Sequence, residues 1–209
     1  MRDYQAWHDD YDRPGSTLHL RLLVVQDLIA GVLDEAPRGP VRFVSMCAGQ
    51  GRDVLTVARR HRRGSDLVGR LVELDPVNVA AARATIAGAG LDGIEVVEGD
   101  AGTSDAYLGA APADLVLACG IFGNVSDEDI RATVAFLPAL CAPGATVLWT
   151  RAQREDGIVP TIQDWFTATG FDPRALVTPE RLRFGVGAAR FTGSPAPLRP
   201  GVHIFTFVR

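Results

Sequence analysis

The sequence predicts one α/β domain built on a mostly parallel sheet with helices on both faces. Apolar segments of strand length alternate with helical segments between residues 41 and 169. A glycine-rich turn follows the first of those strands, and helix-start signals follow several later ones. The chain has 209 residues, of which 47% are hydrophobic and 22% charged, so it can bury a large core without disulfides or metal.

The first predicted element is a helix from Ser16 to about Glu35. Ser16 has a side-chain oxygen suited to the N-cap position, and residues 36–40, which hold two prolines and a glycine, end the helix. Apolar residues recur at spacings of three and four, which places them on one helical face: Leu18, Leu22, Val25, Ile29 and Val32.

Strands are predicted over residues 41–46, 67–74, 94–97, 114–119 and 145–150. Helices are predicted to begin at Gly51, after the N-cap Asp75 and after the N-cap Ser126, with another over residues 158–169. Beyond Gly170 two strand-like segments, residues 181–191 and 202–208, have no helix between them. We expect these two segments to pair as a long hairpin, which would make the C-terminal edge of the sheet antiparallel.

The turn after the first strand reads Cys47-Ala48-Gly49-Gln50-Gly51 and opens a helix. Glycines allow the backbone to turn sharply and approach a ligand, and a helix N-terminus offers free N–H groups. The dinucleotide pattern G-x-G-x-x-G fails, because Val54 stands at its third glycine position, and no Gly-Lys-Ser/Thr phosphate loop is present. The turn is therefore typical of a nucleotide site without a pyrophosphate signature.

Two acids follow the next predicted strands. Glu73 ends the second strand, where a carboxylate can accept hydrogen bonds from a ribose diol, and Asp100 follows the third strand. An acid at Asp100 can accept a hydrogen bond from an exocyclic amine such as that of adenine. Together with the glycine turn, these acids indicate a nucleoside site.

At these residues the chain resembles the class I S-adenosylmethionine-dependent methyltransferases, over about residues 40–209. The resemblance lies in segments 43–51, 72–76 with 80–83, 99–101, 114–120 and 137–148, which occur in the family's order. It implies a Rossmann-like, doubly wound, seven-stranded sheet with an antiparallel C-terminal edge strand, and S-adenosylmethionine as cofactor. It also implies a core over residues 39–209, preceded in the same domain by an N-terminal helical extension or lid over residues 1–38.

The resemblance also implies the site residues. The cofactor-binding set is Ser45, Cys47, Ala48, Gly49, Gly51, Asp53, Glu73, Leu74, Asp100, Ala101, Cys119 and Gly120. The family usually has an acid near position 45 and a glycine at position 47, so Ser45 and Cys47 depart from it at the methionine end of the cofactor. Substrate contacts are expected at Phe122, Asn124 and Arg151.

The candidate catalytic residues lie in the N-terminal segment, which could cover the cofactor. His8 has an ordinary pKa of about 6.5, suited to accepting a proton, and Tyr11 follows in the same segment. The alternative is a frayed or surface-packed terminus. Arg59, Arg60, Arg62 and Arg63 are interpreted as a solvated, dipole-favoured helix end.

The net charge of −4 argues against nucleic acid as the main partner, and motifs of nucleic-acid amino-methylating and protein arginine methyltransferases are absent. We expect a small-molecule acceptor methylated on O, N or C, no metal, no membrane association, a monomer or homodimer, and a cytoplasmic location. Other uses of the same cofactor (aminopropyl transfer or cyclisation of its amino-acid part), a non-catalytic binding protein and a nicotinamide oxidoreductase are the alternatives.

Overall fold

The computed structural model describes residues 10–152, 157–179 and 184–208. The α-helices with defined bounds are α1 (Thr17–Glu35), α2 (Val54–Arg60), α3 (Pro76–Ala89), α4 (Asp127–Phe136) and α5 (Val159–Ala168). The strands are β1 (Val41–Ser45), β2 (Leu67–Glu73), β3 (Ile94–Glu98), β4 (Ala113–Ala118), β5 (Cys141–Ala152), β6 (Phe171–Val177) and β7 (Phe184–Phe191).

The strands form one sheet in the order β3-β2-β1-β4-β5-β7-β6. Strands β1 to β5 pair in parallel, whereas β7 pairs antiparallel with both β5 and β6. The predicted mostly parallel, seven-stranded sheet with antiparallel pairing at its C-terminal end is confirmed. Chain order reverses between β1 and β4, and open sheets of this kind bind ligands outside the strand ends at such a point.

Both faces of the sheet are covered. Val25, Ile29 and Leu33 of α1 belong to a buried cluster that also includes residues of α2 and the sheet. On the other face Ile130 of α4 and Ile162 of α5 are completely buried in a second cluster. The sheet is therefore doubly wound, and the helical face read from residues 18–32 was correct in placing Val25 and Ile29 inward.

The three predicted N-caps are confirmed by their capping contacts, whereas the helix predicted to begin at Gly51 begins at Val54, after the N-cap Asp53. The Ser16 side chain accepts a hydrogen bond from the backbone N–H of His19 at 3.0 Å. Asp75 accepts from Val77 N–H at 2.8 Å, and Ser126 accepts from Asp129 N–H at 3.1 Å. Each cap satisfies one of the N–H groups that a helix start leaves without an intrahelical partner.

The predicted pairing of residues 181–191 with residues 202–208 in a C-terminal hairpin is wrong. β7 pairs with β6, a strand that the sequence analysis did not predict, and β6 takes the edge position. Pro173 hides β6 in the sequence, but an edge strand tolerates a proline, and the pairing shifts register between Pro173 and Ala175. Residues 202–208 form no strand; their one bridge joins His203 to Thr103.

Arg63 was interpreted, with Arg59, Arg60 and Arg62, as part of a solvated helix end, and this prediction is wrong for Arg63. Its guanidinium donates to the carbonyl oxygens of Leu33, Ala36, Pro37 and Gly39, and its Nε donates to Asp66 at 2.8 Å. The Arg63 side chain is only 14% exposed, whereas that of Arg62 is 71% exposed. Arg63 therefore binds the C-terminal end of α1 and the loop before β1.

Within the described ranges, no helix combines the length and apolar character needed to cross a membrane.

Candidate active site

A cavity of about 190 Å³ lies at the carboxyl ends of the parallel strands, where β1 and β4 are neighbours. The turns after β1, β2, β3 and β4 contribute to its wall, as do α1 and the C-terminal residues. Its lining residues are Tyr11, Arg21, Leu22, Cys47, Ala48, Gly49, Gln50, Arg52, Asp53, Glu73, Leu74, Asn78, Asp100, Ala101, Cys119, Gly120, Asn124, Phe205 and Phe207.

The turn after β1 is held in a left-handed conformation. The φ angles of Cys47, Gly49 and Gly51 are 50°, 57° and 67°. The φ angle of 67° at Gly51 would strain any other residue, and an added Cβ would lie 2.8 Å from Leu71 Cδ1, so the turn favours glycine there. Gly51 supports the turn and does not line the cavity, whereas Gly49 does.

Cys47 is a non-glycine residue in this left-handed region, which costs on the order of 1 kcal/mol. Burial raises the pKa of its thiol, and the charges of Glu73 and Asp100 raise it further. The thiol therefore stays protonated at neutral pH, and Cys47 is unsuited to act as a nucleophile.

Glu73 and Asp100, which both line the cavity, are oriented by backbone donors. Glu73 Oε2 accepts from Gly49 N–H at 2.7 Å, and its Oε1 accepts from Asp75 N–H at 2.9 Å. Asp100 Oδ1 accepts from Gly102 N–H at 2.7 Å. An ionised carboxylate has about four lone-pair sites, so each of these acids can accept further hydrogen bonds from a ligand. Leu74, beside Glu73, is 66% exposed and offers an apolar surface at the cavity.

Asp53, Tyr11, Arg21 and Cys119 also line the cavity, and their charges act on one another. Asp53 is the N-cap of α2, and its Oδ1 accepts from Val54 N–H at 2.8 Å. Arg21 Nη2 donates to Tyr11 Oη at 2.8 Å. Burial raises the pKa of Asp53, and burial likewise raises that of Tyr11. Tyr11 is consequently a neutral phenol at pH 7, better able to donate a hydrogen bond than to accept a proton.

The N-terminal turn (residues 10–13) is attached to the glycine turn through Arg52. The Arg52 guanidinium donates to both carboxylate oxygens of Asp12, at 2.6 and 3.0 Å, and to Gln50 Oε1 at 3.0 Å. It also lies 5.8 Å from the centroid of the Tyr11 ring. These contacts bring Tyr11 to the cavity. His8 lies outside the described residues.

The C-terminal strap (residues 201–208) closes another side of the cavity. Ile204 N–H donates to Gly102 O at 2.7 Å, and Val208 N–H donates to Asn124 O at 2.8 Å. The strap thus connects the turn after β3 with the loop after β4. Phe205 and Phe207, whose ring centroids are 5.6 Å apart, line the cavity from it.

Several residues proposed from the sequence do not line the cavity. Ser45, Phe122 and Arg151 are buried, with exposures of 1%, 0% and 3%. The Arg151 guanidinium donates to the carbonyl oxygen of Phe122, and the Phe122 ring packs 5.9 Å from that of Trp149. Asn124 does line the cavity, and its side chain donates to Gly120 O at 2.7 Å.

Sequence reasoning missed part of the lining. The missed residues are Arg21, Leu22, Gln50, Arg52, Asn78, Phe205 and Phe207. Gln50 and Arg52 lie between predicted site residues and could have been included for that reason. Arg21 and Phe207 carry no local motif, because only the packing of α1 and the strap brings them to the turn.

Among the residues described, no group of three or more His, Cys, Asp or Glu side chains could hold a metal ion. The cavity instead combines oriented carboxylates, two arginines (Arg21 and Arg52), glycine backbone and apolar surface. This arrangement can bind a nucleoside that carries charged groups, and it contains no cluster of basic side chains suited to a polyphosphate.

The fold is that of a doubly wound α/β protein with a ligand cavity at its strand ends, and the comparisons with known proteins define its class. The model of a family described as "Putative methyltransferase" matches residues 17–158. The chain therefore belongs to this methyltransferase family. A search of the curated proteins found no match.

Solved structures share the fold at low identity. An O-methyltransferase family protein from Burkholderia thailandensis has a TM-score of 0.67 at 20% identity, covering 85% of this chain and 57% of that one. Magnesium protoporphyrin IX methyltransferase from Synechocystis PCC 6803, with bound SAH, has a TM-score of 0.69 at 10% identity, covering 90% and 93%. A TehB-like SAM-dependent methyltransferase from Corynebacterium glutamicum has a TM-score of 0.57 at 16% identity, covering 77% and 85%. The chain thus spans little more than half of the Burkholderia protein.

Proposed function

We propose that this protein uses S-adenosylmethionine to methylate an O, N or C atom of a small-molecule acceptor. The observation that carries the proposal is the pair of oriented acids, Glu73 and Asp100, beside Gly49 in one cavity. Backbone N–H groups hold both carboxylates in fixed directions, so both are preorganised for hydroxyl or amine donors.

The residues present fit the adenosine part of the cofactor. Glu73 would accept hydrogen bonds from the ribose hydroxyl groups, and Asp100 would accept from the adenine amine. The exposed Leu74 side chain would cover one face of the adenine base. This contact would remove apolar surface of the side chain and of the base from water. Gly49, with no side chain, allows the ligand to approach the backbone of the turn.

When bound, S-adenosylmethionine supplies an electrophilic methyl group on a sulfonium. The chain's own contribution is to orient the two reactants and to exclude water. Cys119 and Gly120 at the end of β4, with Asn124, would form the wall towards the acceptor, and Thr150 Oγ1 fixes this wall by accepting from Gly120 N–H at 2.8 Å. Tyr11 would hold a polar group of a ligand as a neutral phenol, and His8 is the candidate general base for an acceptor that carries a proton.

A small-molecule acceptor is supported by the protein's charge and by the cavity. The net charge of −4 disfavours binding to a nucleic-acid backbone. The aromatic strap residues make the cavity partly apolar, as is usual for sites that bind small organic molecules. Magnesium protoporphyrin IX methyltransferase, which shares the fold, is named for a small-molecule acceptor.

Calorimetric titration with S-adenosylmethionine and with NAD tests the cofactor. We expect binding of the first only, and a loss of affinity of about ten-fold or more in Glu73→Gln and in Asp100→Asn. Each replacement puts an amide N–H₂ where the carboxylate accepts. Glu98→Gln is the matched control, because Glu98 is an exposed acid at the end of β3 that does not line the cavity. Unchanged affinity in both site variants would refute the assignment.

Product analysis tests the reaction. The protein is incubated with S-adenosylmethionine carrying a labelled methyl group and with a cell extract separated into metabolite, protein and nucleic-acid fractions. S-adenosylhomocysteine formation with label in the metabolite fraction is the expected result. Label in a macromolecular fraction would refute the acceptor class, and methylthioadenosine as product would refute methyl transfer.

A further inference from the structure

Two groups of charged residues line the cavity, and a fifth charged lining residue, Arg52, is already paired with both carboxylate oxygens of Asp12. Glu73 and Asp100, assigned above to the adenosine, are both acids that accept from backbone N–H groups of the strand-end turns. The other group contains both signs of charge, Arg21 from α1 and Asp53 at the start of α2, with Tyr11 and Cys119. A group with both signs fits a zwitterionic part of a ligand, whereas an all-acidic group does not.

The two charges lie close enough to act on each other. Burial raises the pKa of Asp53, and the Arg21 charge opposes that rise. Burial also raises the pKa of the Cys119 thiol. The Asp53 charge raises this pKa further, and the Arg21 charge lowers it. Arg21, Asp53 and the end of β4 therefore surround one part of the cavity.

Neighbouring residues hold both charges in place. Tyr11 Oη accepts from Arg21 Nη2 at 2.8 Å, and the Tyr11 ring is in turn held by the N-terminal turn and Arg52. Asp53 is fixed by its N-cap contact with Val54. A guanidinium binds carboxylates through paired N–H donors, and a carboxylate binds an ammonium group.

Ser45 is not available to bind the amino-acid part of the cofactor. It ends β1, has an exposure of 1%, and does not line the cavity. Contacts to the amino-acid part of a ligand must therefore come from other residues of the lining.

We propose that Arg21 and Asp53 form the subsite for the α-amino-acid group of the cofactor, with Arg21 binding its carboxylate and Asp53 its ammonium group. This inference rests on the proposed function. It adds α1 to the binding site and assigns a role to a residue outside every motif of the sequence.

The test compares two probes that share the adenosine part. S-adenosylhomocysteine carries the amino-acid group, and 5′-methylthioadenosine lacks it. The affinities of both are measured by calorimetry for the wild type, Arg21→Met, Arg21→Lys and Asp53→Asn. Asparagine keeps a side-chain oxygen for the N-cap, so the start of α2 is preserved. Arg60→Met is the control, because Arg60 is an exposed arginine of α2 outside the cavity.

Arg21→Met is expected to weaken S-adenosylhomocysteine binding by about 10- to 100-fold, since a lost hydrogen bond to a charged group has an effect of that size. Asp53→Asn should weaken it by about ten-fold, and Arg21→Lys should restore part of the loss. Binding of 5′-methylthioadenosine should change less than about two-fold in all variants, and melting temperatures verify that each variant is folded.

The outcomes separate this inference from the proposed function. Equal losses for both probes, or an unchanged affinity for S-adenosylhomocysteine in Arg21→Met and Asp53→Asn, would overturn the subsite while leaving the cofactor assignment intact. If the wild type binds neither probe, both the cofactor assignment and the subsite are wrong. A loss in Arg60→Met as large as that in Arg21→Met would show a non-specific charge effect and would also overturn the subsite.

Discussion

Arg63 and Arg62 are adjacent in sequence, yet their replacement by methionine should have very different effects on stability. Arg63 Nη1 donates to Ala36 O at 2.6 Å, and its Nη2 donates to Pro37 O at 2.7 Å. It also contacts Leu33 O and pairs with Asp66 at 2.8 Å. Arg62 makes one ion pair with Asp34 and is 71% exposed.

The magnitude follows from these contacts. A hydrogen bond to a charged group contributes about 1.5–3 kcal/mol, but the contributions do not add, and water can reach part of this loop. Gly39 O, at 3.4 Å, adds little. We expect Arg63→Met to lower the free energy of unfolding by about 3 kcal/mol, whereas Arg62→Met should lower it by less than about 0.5 kcal/mol.

Urea unfolding followed by tryptophan fluorescence measures this difference, because Trp149 is 2% exposed in the folded protein. For m-values of about 1–3 kcal/mol/M, the midpoint of Arg63→Met should fall by about 1–3 M, while that of Arg62→Met should stay near the wild type. Similar midpoints for the two variants would refute the role given to Arg63.

Two further predictions concern the cavity. Phe207, 42% exposed, lines the cavity, whereas Val208, 59% exposed, does not. Phe207→Ala should therefore weaken S-adenosylhomocysteine binding by about five-fold in calorimetry, and an equal loss in Val208→Ala would contradict the role of the strap. Burial raises the pKa of Asp53 above its ordinary value of 3.8, so its charge lowers stability at pH values above the folded pKa. Asp53→Asn should thus have the higher denaturation midpoint at pH 7, and the difference should vanish below pH 3.8; a lower midpoint at pH 7 would contradict this sign.

The local parts of the fold and site could be predicted from the sequence. Ser16, Asp75 and Ser126 indicate helix starts in the sequence. They can do so because an N-cap contact joins residues only two or three positions apart. Glu73 and Asp100 were found because parallel strands end at one edge of the sheet, so residues that follow strands converge there.

Contacts between distant segments were not predictable in this way. The strand β6 was not predicted because it contains Pro173. Its pairing with β7 depends on its edge position and on a register shift. Residues 202–208 were predicted as a strand-like segment, but those residues instead cross from Gly102 to Asn124. A short apolar segment indicates burial, and it does not distinguish a strand of a sheet from the wall of a cavity.

The sequence by itself determined the sheet class, the glycine turn and the two acids, Glu73 and Asp100, that line the cavity, because each depends on residues near one another in the chain. Only the tertiary structure decided that Arg21 and Phe207 reach the cavity and that Phe122 and Arg151 are buried away from it. The physical reason is that these positions depend on how α1, the strap and β5 pack on the sheet, and packing is set by surfaces distant in sequence.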